Sequence, residues 1–262
     1  MEAKVEIEQF YVLSDGWTAA PEAILIRGGS WRKKIRLHAT AFLLKHRSKG
    51  WILVDTGYSR RVGRLGGAAG ALYRMCVPMT LTSPGGICSV LPRLGVSPGD
   101  VQHVVLTHLH PDHIGGLKDF PKAKIYAHPD ALRAGFEGGR PSRQVIFTEL
   151  LPEDFRERAV AVHDDIFSDG SLHGLALPGH AVGHMGIFFK YQDKRILLAA
   201  DACWLSENYK RNMPPSRLSN MLHDVSSHRR SLRKLHMLNA SGDDLEILPS
   251  HCPLTAARIC AS

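Results

Sequence analysis

The segment His108-Leu109-His110-Pro111-Asp112-His113 places three imidazoles and one carboxylate within six residues. Imidazole nitrogen with carboxylate oxygen is a donor set that suits zinc and similar divalent metals. The apolar run Val104-Val105-Leu106 before it reads as a strand, and Pro111 with Asp112 reads as the start of a helix. On extended chain His108 and His110, two residues apart, project to the same side. Asp112 and His113 then leave the turn toward a second point nearby.

Further donors stand where other strands should end. His180 follows Leu177-Pro178-Gly179, a Pro-Gly turn after a strand. Asp201 closes the apolar run Leu197-Leu198-Ala199-Ala200, and His251 closes Ile247-Leu248-Pro249-Ser250. A carboxylate directly after four apolar residues is costly to bury unless a cation or hydrogen-bond donors meet it. One loop histidine is weak evidence in a chain that has 15. The set is stronger, because every member falls at the C-terminal end of an expected strand, where open sheets gather their chemistry.

The elements that must position these residues come in two series. Runs of β character cover 5–13, 23–27, 39–44 and 51–54, the last ending in the turn signal Asp55-Thr56-Gly57. A second series covers 124–127, 174–177, 186–191, 195–200 and 246–248, with Gln192-Asp193 as a hairpin turn. Residues 91–100 read as a helical turn capped by Gly95, then a Pro98-Gly99 turn. Residues 227–239 read as an amphipathic helix with Leu232, Leu235 and Leu238 inward. Two strand series with intervening helices predict two sheets in layers with helices outside. The length of 262 residues suits one α/β domain spanning 1–262, with the less regular stretch 58–90 as a lid or insertion.

Composition narrows the partners. The hydrophobic fraction of 44% and charged fraction of 22% are those of a globular protein. No run approaches the roughly 20 apolar residues of a membrane span, and residues 1–10 lack a signal-peptide core, so a cytoplasmic location is expected. The five cysteines form no CxxC pair and read as small buried hydrophobes, although Cys203 and Cys252 lie near candidate ligands. The formal charge of +8 favours an anionic small-molecule substrate. Its clusters, such as Arg32-Lys33-Lys34 and Arg229-Arg230, read as solvated faces. No nucleic-acid motif or aromatic interleaving accompanies them, so neither nucleic acid nor membrane is an expected partner.

Taken in order, Leu53-Val54-Asp55-Thr56-Gly57, Thr107 to His113, Pro178-Gly179-His180, Ala200-Asp201 and Ser250-His251 resemble the metallo-β-lactamase superfamily over roughly residues 38–251. The resemblance implies an α/β fold, a four-layer αββα sandwich of two mixed sheets flanked by helices. It implies that His108, His110 and His180 hold one metal, that Asp112, His113 and His251 hold a second, and that Asp201 bridges them. It assigns Asp55 and His184 to supporting hydrogen bonds behind the ligands. Two divalent ions, zinc before iron or manganese, would share a water and supply hydroxide near neutral pH. Asp112 and Asp201 would be the catalytic carboxylates, and Asp112 could accept a proton or orient the nucleophile.

Within the superfamily, Phe10 to Gly16, Leu53 to Gly57 and Pro178 to His184 look most like N-acyl-homoserine lactonases. The expected reaction is hydrolysis of a lactone, ester or thioester of a small acyl compound by a monomer or homodimer. The alternatives are a phosphodiesterase or nuclease, and a non-hydrolytic di-iron redox or binding module. One departure stands out. Where the lactonases carry a tyrosine that helps bind or polarise the substrate carbonyl, this chain has Trp204, and an indole cannot act as a phenolic acid. Trp204, Tyr209, Met213 and Met221 are candidate apolar pocket walls, with 58–90 and 203–225 framing the mouth.

Overall fold

The structure is a computed structural model that describes residues 4–138, 145–216, 224–242 and 244–258. Its strands are β1 (Ile7–Pro21), β2 (Lys34–His46), β3 (Gly50–Val54), β4 (Thr80–Leu81), β5 (Val101–Val105), β6 (Lys124–Ala127), β7 (Ala159–Ala161), β8 (Leu172–Ala176), β9 (Met185–Tyr191), β10 (Lys194–Ala200) and β11 (Leu245–Pro249). Hydrogen bonding follows the order β11-β10-β9-β1-β2-β3-β5-β6-β7, with β4 on β1 and β8 on β9. The β1–β9 step rests on one register pair, Ile7 with Tyr191. That narrow seam joins two half-sheets along one edge.

Period-2 alternation sorts the apolar side chains into three layers. Phe42, Leu44, Ile52, Val54 and Val105 of one half meet Ile187, Phe189, Ile196, Leu198 and Leu248 of the other in a shared interior. Their sequence neighbours face outward. Leu43, Leu53 and Val104 pack with Leu109, Ile114 and Phe155, while Phe188, Leu197 and Ile247 pack with Leu232 and Leu235 of the helix Val225–Ala240. The order helix, sheet, sheet, helix is the expected αββα sandwich. Asp224 starts that helix by accepting from Ser226 N and Ser227 N at 3.1 and 3.2 Å.

Differences from the sequence expectation lie mostly near the N-terminus. Residues 23–27 are not a strand: β1 continues past residue 13 to Pro21, and the helix Glu22–Leu25 follows. A register shift between Ser14 and Trp17 lets the long β1–β2 ladder continue. Glu22 then closes the loop by accepting from Ser30 N and pairing with Lys33 Nζ at 2.6 Å. The four-residue apolar run Ala23-Ile24-Leu25-Ile26 carries too little periodicity to separate helix from strand. Basic residues 34 and 36 open β2, with the Arg36 guanidinium 4.2 Å from the centre of the Trp17 ring. The three-residue β7 gave no sequence signal of its own.

The helix Gly67–Cys76 lies within 58–90, and Gly95 at φ +69° caps the 3-10 turn Leu91–Leu94. Among the described residues, no helix is long and apolar enough to cross a membrane. Among the same residues Cys76, Cys88, Cys203 and Cys252 are free thiols.

Candidate metal centre

Strand direction decides where the donors gather. β3, β5 and β6 run parallel to one another, as do β10 and β11. β8 and β10 both pair antiparallel with β9 and so share a direction. Asp55 follows β3, His108 to His113 follow β5, His180 follows β8, Asp201 follows β10 and His251 follows β11. The backbone bends sharply at two of these exits. Asp55 and Ala200 adopt φ of +59° and +45°, sparsely populated for residues with a side chain. At Ala200 the bend coincides with a register shift against β11 that redirects Asp201. Gly179 has φ +123°, and a Cβ there would meet His228 N at 2.1 Å, so only glycine lets this turn present His180.

Two donor groups result. His108, His110 and His180 form one, and Asp112, His113, Asp201 and His251 form the other; within each group one donor atom per residue lies within 4.8 Å of the rest. In the first, ring centroids are 4.5 to 4.9 Å apart. Asp201 touches both groups. Its Oδ2 is 3.2 Å from His180 Nε2 and 2.8 Å from His251 Nε2, and its Oδ1 is 3.2 Å from His113 Nε2. Asp112 Oδ2 is 3.3 Å from His251 Nε2.

Hydrogen bonds behind the groups fix the ring orientations. His113 Nδ1–H donates to Asp55 Oδ2 at 2.7 Å, and His251 Nδ1–H donates to the His38 carbonyl at 2.5 Å, leaving both Nε2 atoms facing the centre. Asp55 also accepts from Thr107 N and Thr107 Oγ1, at 2.9 and 2.8 Å. With its proton so committed, Thr107 Oγ1 accepts from His108 Nδ1 at 3.1 Å. Asp55 therefore orients His113 directly and His108 through one hydroxyl. His184 Nε2 accepts from the Asp201 backbone N–H at 3.1 Å, which requires a neutral ring.

The electrostatics of the two groups differ. Burial drives His108 well below the ordinary imidazole range, and neighbouring His113, His110 and His180 add to the shift. Burial acts on His113 the same way, yet Asp55, Asp201 and Asp112 overcome it and hold the ring well above that range. Burial likewise opposes charge on His251, which Asp201 and Asp112 raise. Burial would raise Asp201, but His251, His113 and His180 keep its carboxyl well below the usual range. His184, behind them, is lowered by burial to about 4.

A divalent cation fits these donors. His108 Nε2 is buried and has no hydrogen-bond partner among the described residues, although two other rings of its group stand beside it. A buried polar atom left without a partner costs about 1–3 kcal/mol, which coordination would offset.

The structure thus gathers all seven candidate ligands, with Asp55 and His184 behind them. The candidate pocket walls divide. Trp204 reaches the centre, its Nε1–H donating to Asp201 Oδ2 at 3.2 Å. Tyr209 is buried instead in the cluster beneath the helix Val225–Ala240, with its hydroxyl donating to the Ile247 carbonyl. The Met213 backbone is tied to Asn208 at both N–H and carbonyl. Met221 lies outside the described residues. Sequence reasoning missed the roles of Thr107 and the His38 carbonyl, and it missed the buried Tyr58. Both the Tyr58 and the Tyr73 phenol are raised well above their ordinary value, chiefly by burial. Only Thr107 left a trace, as the hydroxyl residue directly before the histidine motif.

Comparison with known proteins agrees with this arrangement. The family model described as the metallo-beta-lactamase superfamily matches residues 35–237. The chain is 25% identical to N-acyl homoserine lactonase AiiB of Agrobacterium fabrum, over 95% of this chain and 90% of that protein. Among solved structures, an N-acyl homoserine lactone hydrolase with N-hexanoyl-L-homoserine bound at its catalytic metal centre superposes with a TM-score of 0.77 at 21% identity, covering 98% of each chain. AidC, a dizinc quorum-quenching lactonase, superposes with a TM-score of 0.70 at 17% identity, covering 96% of this chain and 90% of its own. With the family model spanning both sheets and four of the five strand exits that carry the donors, the chain belongs to the metallo-beta-lactamase superfamily and is a metal-dependent hydrolase of that kind.

Proposed function

We propose that this protein is a binuclear hydrolase that opens a lactone, or cleaves an ester or thioester, of a small acyl compound. The observation that carries the reading is the meeting of two donor groups on one carboxylate, Asp201. His108, His110 and His180 would hold one divalent ion, and Asp112, His113 and His251 the other, with Asp201 shared. Two such ions would supply Lewis acidity and lower the pKa of a bound water toward neutrality. Zinc suits this nitrogen and oxygen set, and the similarity to dizinc AidC supports the choice.

The protein's own part is to shape access and move protons. Each donor group has one half-buried member, His110 in the first and Asp112 in the second, while the rest are buried. These two flank Pro111, so a substrate would reach the centre at that turn. Asp112, the accessible carboxylate, would accept the proton released during attack and return it to the leaving group. Residues 58–90, carrying the helix Gly67–Cys76, would form the lid over this opening. The similarity to AiiB favours acyl-homoserine lactones within the class. Trp204 points away from that narrower reading, because its indole offers no phenolic proton.

The test is turnover on a panel of lactones, esters, thioesters and phosphodiesters before chelation, after chelation and after zinc is restored. Lactone, ester or thioester turnover should vanish with the metal and return with it. Metal-replete protein inert on all three, or active on phosphodiesters alone, would contradict the reading.

A further inference from the structure

The indole of Trp204 sits in an apolar pocket formed where the end of β1, the helix Glu22–Leu25 and the start of β2 meet. Leu25, Leu37 and Leu205 form its buried base, with Ile24 and Ile35 partly buried around them. This packing accounts for the ring but not for the aim of its N–H. Trp204 is only partly buried, so the N–H could have been left to water at little cost. It is instead turned inward onto Asp201 Oδ2 at 3.2 Å. That oxygen is the one on which His180 Nε2 and His251 Nε2 also converge, and the Trp204 ring stands edge-on to His180 with centroids 6.2 Å apart.

We propose that Trp204 is a positioning residue for Asp201: its N–H fixes the rotation of the shared carboxylate, and its apolar pocket fixes the N–H. The inference rests on reading Asp201 as common to the two donor groups. An indole N–H is well suited to the task. It donates and never accepts, so it cannot compete with Asp201 for a cation. It also keeps its proton at any pH where the protein is folded. A ring held by packing surrenders little further entropy in making the bond, so Asp201 meets the ions already oriented. Hydrogen bonds that orient metal ligands in this way commonly govern affinity as well as activity.

Zinc affinity, read by competition with a chromophoric chelator, tests this together with the visible spectrum of the cobalt-loaded protein. Trp204→Phe keeps an aromatic ring and removes the N–H. It should weaken the more loosely held zinc by about 10-fold and alter the cobalt spectrum, while the metal-free protein keeps its melting temperature. Wild-type zinc affinity with an unchanged cobalt spectrum would overturn the proposal. So would a lower melting temperature with affinity intact, since that is the signature of packing alone.

Should Trp204→Phe fail to fold, the four indole N–H resonances of the wild type serve instead. Trp17→Phe, Trp31→Phe and Trp51→Phe assign the Trp204 signal by elimination. It should shift when zinc is added to metal-free protein, and a signal indifferent to zinc would refute the role. Neither readout involves a substrate, so an inert substrate panel would leave this inference standing, and its failure would leave the hydrolase reading standing.

Discussion

The two donor groups lie side by side in the same interior and differ in how their imidazoles hold protons. His108 and His113 are five residues apart, both buried, with rings 4.0 Å apart. One is held neutral and the other holds its proton. Burial is common to both, so it cannot be what separates them. The difference is the company: His108 faces other imidazoles and meets Asp55 only through Thr107, whereas His113 touches Asp55 and Asp201 directly. In the first group, burial and the neighbouring imidazoles keep the His108 ring neutral, so its Nε2 can take a cation without first losing a proton. The second is an ion-paired cluster whose protons must leave before a cation can enter.

The largest effect on this pairing should come from Asp201→Asn, which keeps the shape and removes the charge common to both groups. Losing several kcal/mol of stabilisation at a shared metal ligand corresponds to a fall in kcat/KM on the order of 10³-fold. Steady-state kinetics with metal content measured on the same sample checks this. A variant within tenfold of wild type would show that the groups do not depend on Asp201.

Asp55→Asn comes next. Because Asp55 orients His113 directly and His108 through Thr107, the loss should spread across both groups and weaken zinc affinity by about 10–100-fold. Weakening confined to one zinc would show that Asp55 serves one group only.

How far the sequence foretold this depended on the kind of interaction. The ligands were legible because imidazole and carboxylate are rare together at the ends of apolar runs, as at Asp201 and His251. The layers were legible because Phe42, Leu43 and Leu44 alternate between two interiors with the strand period. What stayed hidden works through the backbone or through tertiary contact. The carbonyl that holds His251 belongs to His38, more than two hundred residues away, and any residue type supplies a carbonyl. The helix Glu22–Leu25 depends on a loop closed by Glu22 and Lys33 rather than on its own pattern. Tyr209 shows the converse: an aromatic placed by sequence near the pocket mouth packs beneath a helix that local pattern does not tie to it.

The smallest expected effect is on pH dependence, and its sign follows from the protons. Their retention on His113 and His251 stabilises the metal-free fold fully below the ordinary imidazole pKa of about 6.5, and that stability is lost as pH rises through their raised values. His184, at about 4, works the other way: the unfolded chain binds a proton that the folded ring refuses, so stability falls as pH drops below about 6.5. Zinc entering the second group must displace protons, so its affinity there should fall as pH is lowered, by about tenfold per unit for each proton displaced, while the first group changes less.

Calorimetric titration of the metal-free protein with zinc near pH 7, in buffers of different ionisation enthalpy, tests the two-group account most directly. Two equivalents should bind, one releasing protons and the other releasing few. A single equivalent, or two that release protons alike, would contradict it.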